Sequence, residues 1–185
     1  MIDEILQDAD ERMGKTLDAL ANTFGKIRTG RANPALLDGI TVDYYGVPTP
    51  LNQVASVSVE DARTLLLAPW ERPLVVEIEK AILRSELGIT PVNNGEVVRL
   101  PLPPLTEENR RDLAKQARAE AENSRISIRN IRRDAIADIR ELVKEKEASE
   151  DDARRGEDRA QEYTDRRAAE VDKALAAKES ELMEI

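Results

Sequence analysis

Arg125, Arg129, Arg132 and Arg133 fall within nine residues of the segment SRISIRNIRRDA (124–135), interleaved with isoleucines and with no acid between them. A guanidinium is a planar fork of donors that can grip phosphate or carboxylate oxygens two at a time. Four of them at helical spacing can follow a polyanion. They occur in a chain of 185 residues whose formal net charge is −9. Like charges three and four residues apart on a helix repel, so the cluster calls for anionic partners. Two sources are open. Arginine stems can lie over the shoulder of a helix bundle with their heads solvated or paired to acids of a neighbouring helix. Alternatively the partners are RNA or DNA phosphates, in which case affinity falls steeply with salt. No aromatic side chain lies on this segment to stack bases, so recognition of a structured nucleic acid by shape and backbone is expected.

Other chemistry is sparse. The chain has no cysteine and no histidine, which removes the thiol nucleophile, thiolate metal sites and the commonest general base. The adjacent Asp151 and Asp152 read as acids of a helix first turn, where they complement the dipole, rather than as a catalytic pair. No enzyme activity and no cofactor are expected. The amino terminus, MIDEILQDADERM, is acidic where a targeting peptide would be basic, and no apolar run approaches the roughly 18 residues of a membrane span. A soluble, cytoplasmic protein is expected.

The elements that must position the arginines follow from composition and period. Charged residues make up 35% of the chain and aromatics 3%, against 41% hydrophobic, a balance of long exposed helices around a thin core. All nine prolines lie between Pro34 and Pro104. Before them, Leu6, Met13, Leu17, Leu20, Phe24 and Ile27 form one helical stripe, which Gly30 is expected to end as a left-handed cap. After them, Leu113, Ala117, Ser124, Ile128, Ile131, Ala135, Ile139 and Leu142 mark a second helix. Ser149 is expected to cap a third, with Ala153, Ala160, Tyr163, Val171, Leu175 and Leu182 on one face.

Between these stretches the period becomes two. Ile40, Val42 and Tyr44, then Ala55, Val57 and Val59, then Val98, Leu100 and Leu102 read as strands, and TLLLA (64–68) as a buried one. ERPLVVEIEKAILRSELG (71–88) reads as one helix ending at Gly88. DYYGVPTPL (43–51) reads as a hairpin, and Trp70 as core or half-buried packing. The predicted fold class is α+β: an elongated three-helix bundle (residues 1–30 and 105–185) with a small β/α/β domain (31–104) inserted after its first helix. Two thin connections, at GRANP (30–34) and PLPPL (101–105), predict a hinged, L-like molecule.

Charge is uneven along this frame. Residues 110–133 carry eight basic side chains against three acids, whereas 134–185 carry ten against seventeen. Arg111, Lys115, Arg118, Arg125, Arg129 and Arg132 follow three-four spacing, interrupted by Glu122, about 100° around the second helix from its apolar seam.

SIRNIRRDA (127–135), KIRTGRANPALLDGITVDYYGVPTPLNQVASV (26–57) and the terminal KESELMEI together resemble the bacterial ribosome recycling factor family over essentially the whole chain. The resemblance implies a tRNA-sized, two-domain L joined by a flexible hinge at Gly30, Arg31, Pro104 and Leu105. It also implies a monomeric translation factor that, with elongation factor G and its GTP, splits the post-termination ribosome and frees mRNA and deacylated tRNA. The helical domain would contact large-subunit ribosomal RNA, with Arg132 first, then Arg129, Arg133 and Arg125, and with Arg28 and Arg31 beside the hinge. Arg28 could equally sit at a helix C-terminus, facing its dipole. On this reading the arginines find their partners in the working state in ribosomal RNA phosphates rather than among the protein's own acids. A coiled-coil adaptor is the competing expectation, but it leaves the proline-rich insert unexplained.

Overall fold

The computed structural model describes residues 1–184; the last residue of KESELMEI lies outside them. Three long helices, α1 (Ile2–Lys26), α4 (Glu107–Lys144) and α5 (Glu150–Met183), flank a segment of short elements. These are β1 (Thr41–Tyr44), β2 (Val47–Pro50), the one-turn α2 (Leu51–Val54), β3 (Ala55–Asp61), β4 (Thr64–Pro69), α3 (Leu74–Arg84), β5 (Val92–Asn93) and β6 (Val98–Pro101). The fold class is α+β. Two compact units divide the chain, one of residues 1–24 with those from Asp112 onward, the other Gly25–Arg111.

In the first unit three helices share one apolar seam, because no single amphipathic helix can bury its own stripe. Leu6 of α1, Ile139 of α4 and Ala153 and Ala160 of α5 form one cluster, with Ile2, Ile5, Ile136, Val143 and Tyr163 packed on it. The seam is made largely of small side chains: Ala114, Ala117, Ala121, Ser124 and Ala135 on α4, and Ala153, Gly156, Ala160 and Thr164 on α5 are all buried. At Gly156 the packing leaves no room for a side chain, since a Cβ there would lie 2.9 Å from Ile2 Cγ2 and 3.2 Å from Ile139 Cδ1. Charged pairs seal the α1 flank. Asp10 accepts from Arg166 at 2.8 Å and Arg167 at 3.0 Å, and Asp3 accepts from Arg159 at 2.6 Å. Ser149 caps α5 as expected, its hydroxyl accepting from Asp152 N at 3.1 Å.

The second unit has its own core. An antiparallel sheet of order β3-β4-β6-β5 turns Leu65, Leu67, Val98 and Leu100 to one face, where Leu74, Val75, Ile78 and Ile82 of α3 cover it. The alternation on β4 and β6 and the three-four spacing on α3 are the two periods that make such a layer. β1 and β2 form a separate hairpin with Thr41 opposite Pro50 and Tyr44 opposite Val47. Its turn places Tyr45 and Gly46 at positive φ, the primed geometry of two-residue hairpin loops.

Three expectations change. α1 stops at Lys26, so Gly30 (φ +78°) lies beyond the helix and does not cap it. α3 stops at Arg84 because the Ser85 hydroxyl donates to the Ile82 carbonyl at 2.6 Å and Ser85 is extended, leaving Gly88 in the loop that follows. Trp70 is 67% exposed, since it follows the last strand residue rather than occupying an inward position on β4.

The two helical glycines of the first unit should respond oppositely to substitution. Gly156→Val overfills a seam bounded by two β-branched side chains and is expected to destabilise by about 1–3 kcal/mol. At Gly14 a Cβ would meet only the mobile end of Arg167, at 3.4 Å, so Gly14→Ala is expected to stabilise by about 0.5–1 kcal/mol. Urea unfolding followed by circular dichroism measures both; a neutral Gly156→Val would refute the close approach.

Candidate nucleic-acid interface

The seam of α4 fixes where its arginines can go. With Ala121, Ser124, Ile128, Ile131 and Ala135 buried, Arg125 and Arg132 stand on the shoulder facing α5 while Arg129 and Arg133 project further out. The shoulder residues meet α5 directly. Arg118 Nε donates to Glu179 at 2.7 Å, Arg125 Nη2 to Asp172 at 2.6 Å and Arg140 Nε to Glu157 at 2.7 Å. Glu122 serves two arginines, accepting from Arg129 Nη2 at 2.9 Å and from Arg125 Nη1 at 3.2 Å.

Of the two partner sources left open for the cluster, Arg125 and Arg129 meet acids of the protein itself. Glu122 is the interruption noted in the stripe, and it neutralises rather than merely interrupts. The local sequence shows no acid between Arg125 and Arg133, but Asp172 is brought across by α5 and Glu122 reaches Arg129 over two helical turns. The hydrogen bond to Asp172 raises the already high pKa of Arg125 and fixes its charge.

Arg132 and Arg133 differ. Arg132 Nη1 donates to the neutral amide oxygen of Gln161 at 3.0 Å, and Gln161 Nε2 donates onward to Asp165 at 2.8 Å. Among the described residues Arg132 has no ion pair, and the side chains of Arg133, Lys115 and Arg110 have neither ion pair nor hydrogen bond. The uncancelled positive charge of the α4 face is thus concentrated at Arg132 and Arg133, with Lys115 further along. Ile126, 43% exposed, lies about 60° around α4 from Arg129, on the side away from Arg125. Gln161, Asp165, Asp172 and Glu179 went unread in the sequence, although their spacing along α5 matches that of the arginines along α4.

The residues near the connections are structural in part. Arg28 lies past the end of α1, and its Nη2 donates to the Pro103 carbonyl at 2.9 Å, which ties the two chain passages together within the second unit. Of the two readings left open for Arg28, the dipole contact gives way to this hydrogen bond. Its Nε is buried without a partner among the described residues. A Cβ at Gly30 would stand 3.7 Å from the Leu105 side chain, an ordinary contact, so it is the left-handed backbone that favours glycine here. Arg31 is exposed. No cluster of acids among the described residues could hold a metal ion. Asp152 is committed to the α5 first turn and to Arg155 at 2.6 Å. No helix is long and apolar enough to cross a membrane among the described residues.

Comparison with known proteins gives a consistent match. A family model described as ribosome recycling factor matches residues 20–183. The chain is 58% identical to the ribosome-recycling factor of Saccharophagus degradans and 57% identical to that of Legionella pneumophila, over 185 residues and the full length of both chains in each case. It superposes on a solution structure of a ribosome recycling factor with a TM-score of 0.79 and 38% identity, covering all of this chain and 98% of the other. A second match, with a TM-score of 0.68 and 42% identity over all of both chains, is to the Thermus thermophilus ribosome recycling factor, from models that place it and Escherichia coli elongation factor G on the E. coli post-termination complex.

The Glu122 bridge makes a testable statement about charge. Hydrogen bonds from Arg129 and then Arg125 hold its carboxyl below the ordinary glutamate range. A depressed folded-state value means that the pairing is complete above that range and is lost only as pH falls through the lowered value. Side-chain carboxyl titration by NMR should show Glu122 below its ordinary midpoint. Arg129→Ala and Arg125→Ala should each raise that midpoint, and absence of a shift in both would remove the bridge.

Proposed function

Since the chain belongs to the ribosome recycling factor family, we propose that it disassembles the post-termination ribosome together with elongation factor G and GTP, separating the subunits and releasing mRNA and deacylated tRNA. The observation that carries this is the full-length relationship to recycling factors, including one placed with elongation factor G on a post-termination complex. The chain itself acts without catalysis; the GTPase is its partner. It works as a monomer in the cytoplasm.

On this proposal the helical unit anchors to large-subunit ribosomal RNA through Arg132, Arg133, Arg129 and Arg125, with Arg28 and Arg31 contributing near the connections. A guanidinium bound to phosphate gains charge-assisted, two-pronged hydrogen bonds and releases counterions. The acidic remainder of the chain discourages indiscriminate binding to nucleic acid. What supports the ranking is the distribution of partners: Arg132 and Arg133 keep their charge uncancelled, whereas Arg125 and Arg129 would have to leave Glu122 and, for Arg125, Asp172 to engage phosphate. Gly30, Arg31, Pro104 and Leu105 are assigned as the pivot between the anchored helices and the sheet unit. A pivot of this kind lets a push from the GTPase act on intersubunit contacts while the helices stay held on one subunit.

Co-sedimentation with vacant bacterial ribosomes over a salt series tests the anchor. Wild-type affinity should fall steeply with salt, and Arg132→Glu should weaken binding by about tenfold or more while shortening the salt slope by roughly one contact. Arg125→Ala should weaken it far less, because that side chain is already engaged by acids. Equal binding by wild type and Arg132→Glu, with matched helicity, would place the anchor elsewhere.

A further inference from the structure

α4 and α5 run antiparallel, and their charged shoulders step past each other in register. Arg118 pairs with Glu179 and Arg125 with Asp172, seven residues further along α4 and seven back along α5. The same step again sets Arg132 opposite Asp165. The ladder resumes near the far end, where Arg140 pairs with Glu157 at 2.7 Å. Only at the third position is the expected ion pair missing: Arg132 donates to Gln161 at 3.0 Å, and Gln161 donates to Asp165 at 2.8 Å.

We propose that Gln161 is a positioning residue that keeps Arg132 available to RNA phosphate by withholding from it the carboxylate of Asp165. This deepens, and rests on, the reading of Arg132 as a ribosomal RNA contact. The chemistry of the amide makes the interruption directional. A carboxylate can only accept, so Asp165 must face the Gln161 NH₂, which leaves the carbonyl oxygen turned to Arg132. A neutral acceptor orients the guanidinium without cancelling its charge, whereas a carboxylate would do both. At each of the other three positions a carboxylate cancels the charge. At this one the chain forgoes it, beside the equally uncompensated Arg133.

The test is a binding cycle on the full-length protein with vacant bacterial ribosomes, helicity being matched first. Gln161→Ala should release Asp165 to pair with Arg132, weakening ribosome binding about two- to fivefold and making its salt dependence shallower. Gln161→Ala with Asp165→Asn should restore wild-type binding. Gln161→Ala with Glu162→Gln, which makes the same change in net charge at an exposed neighbour, should not. In an Arg132→Ala background, Gln161→Ala should have no further effect. Unaltered binding by Gln161→Ala, when Arg132→Ala binds weakly, would overturn the positioning role and leave the anchor standing. So would a loss that Asp165→Asn does not rescue. Unaltered binding by Arg132→Ala would overturn the anchor itself, and the positioning role with it.

Discussion

Packing of α1, α4 and α5 on one shared apolar seam, much of it made of small side chains, is the constraint from which the helical unit follows. Ala117, Ala121, Ser124 and Ala135 of α4 and Ala153, Gly156, Ala160 and Thr164 of α5 are buried in it. Such a seam buries little apolar area per residue, so burial alone stabilises it modestly. The flanks must then contribute, and they do so with long charged side chains whose stems cover the seam and whose heads meet across it. Arg125, whose side chain is 25% exposed, covers the seam in this way, whereas Arg118 and Arg140 are 63% and 69% exposed and meet α5 through their heads. The same geometry that brings helices close enough to need sealing brings acids close enough to cancel most of the sealing charges.

An arginine-rich helix is thus not uniformly basic. Its net field depends on which guanidinium groups find carboxylates, and on α4 the balance differs from one turn to the next. Glu122 and Asp172 cancel the start of the cluster, and the neutral Gln161 leaves its end uncancelled. On the proposed function, the head of Arg132 is already oriented by Gln161 and loses less freedom on meeting phosphate than a free one would. The α1 flank contrasts with it. There burial works against the Asp10 charge, but hydrogen bonds from Arg167 and Arg166 outweigh it and hold the carboxyl low, so that shoulder is paired rather than available.

The second unit is stabilised by different means. Leu65, Leu67, Val98 and Leu100 on the sheet and Ile78 and Ile82 on α3 are large apolar side chains, almost wholly buried. Few charged pairs are needed to close that core. Of its aromatic residues Tyr44 packs against that core while Tyr45 and Trp70 are exposed, and both tyrosine hydroxyls donate to Glu71. The link between Arg28 and the Pro103 carbonyl holds the entering and leaving chain passages together, using a side chain that sequence alone placed either at a helix end or on RNA.

The sequence by itself determined the elements and the family. Three apolar stripes of helical period, alternating strands confined to the proline-containing stretch, and the Ser149 cap all survive in the structure, because period and capping depend on residues close in the chain. It also marked Arg125, Arg129, Arg132 and Arg133 as the cluster to account for. Helix ends were less legible, since α1 and α3 stop before Gly30 and Gly88: a local hydrogen bond from Ser85 ends α3, and glycine preference alone does not set the stop. Which arginines stay uncancelled was decided only by tertiary structure. Asp172, Glu179 and Gln161 lie 29 to 61 residues from the arginines they meet, and only the antiparallel register of α5 against α4 brings a carboxylate to one guanidinium and an amide to the next.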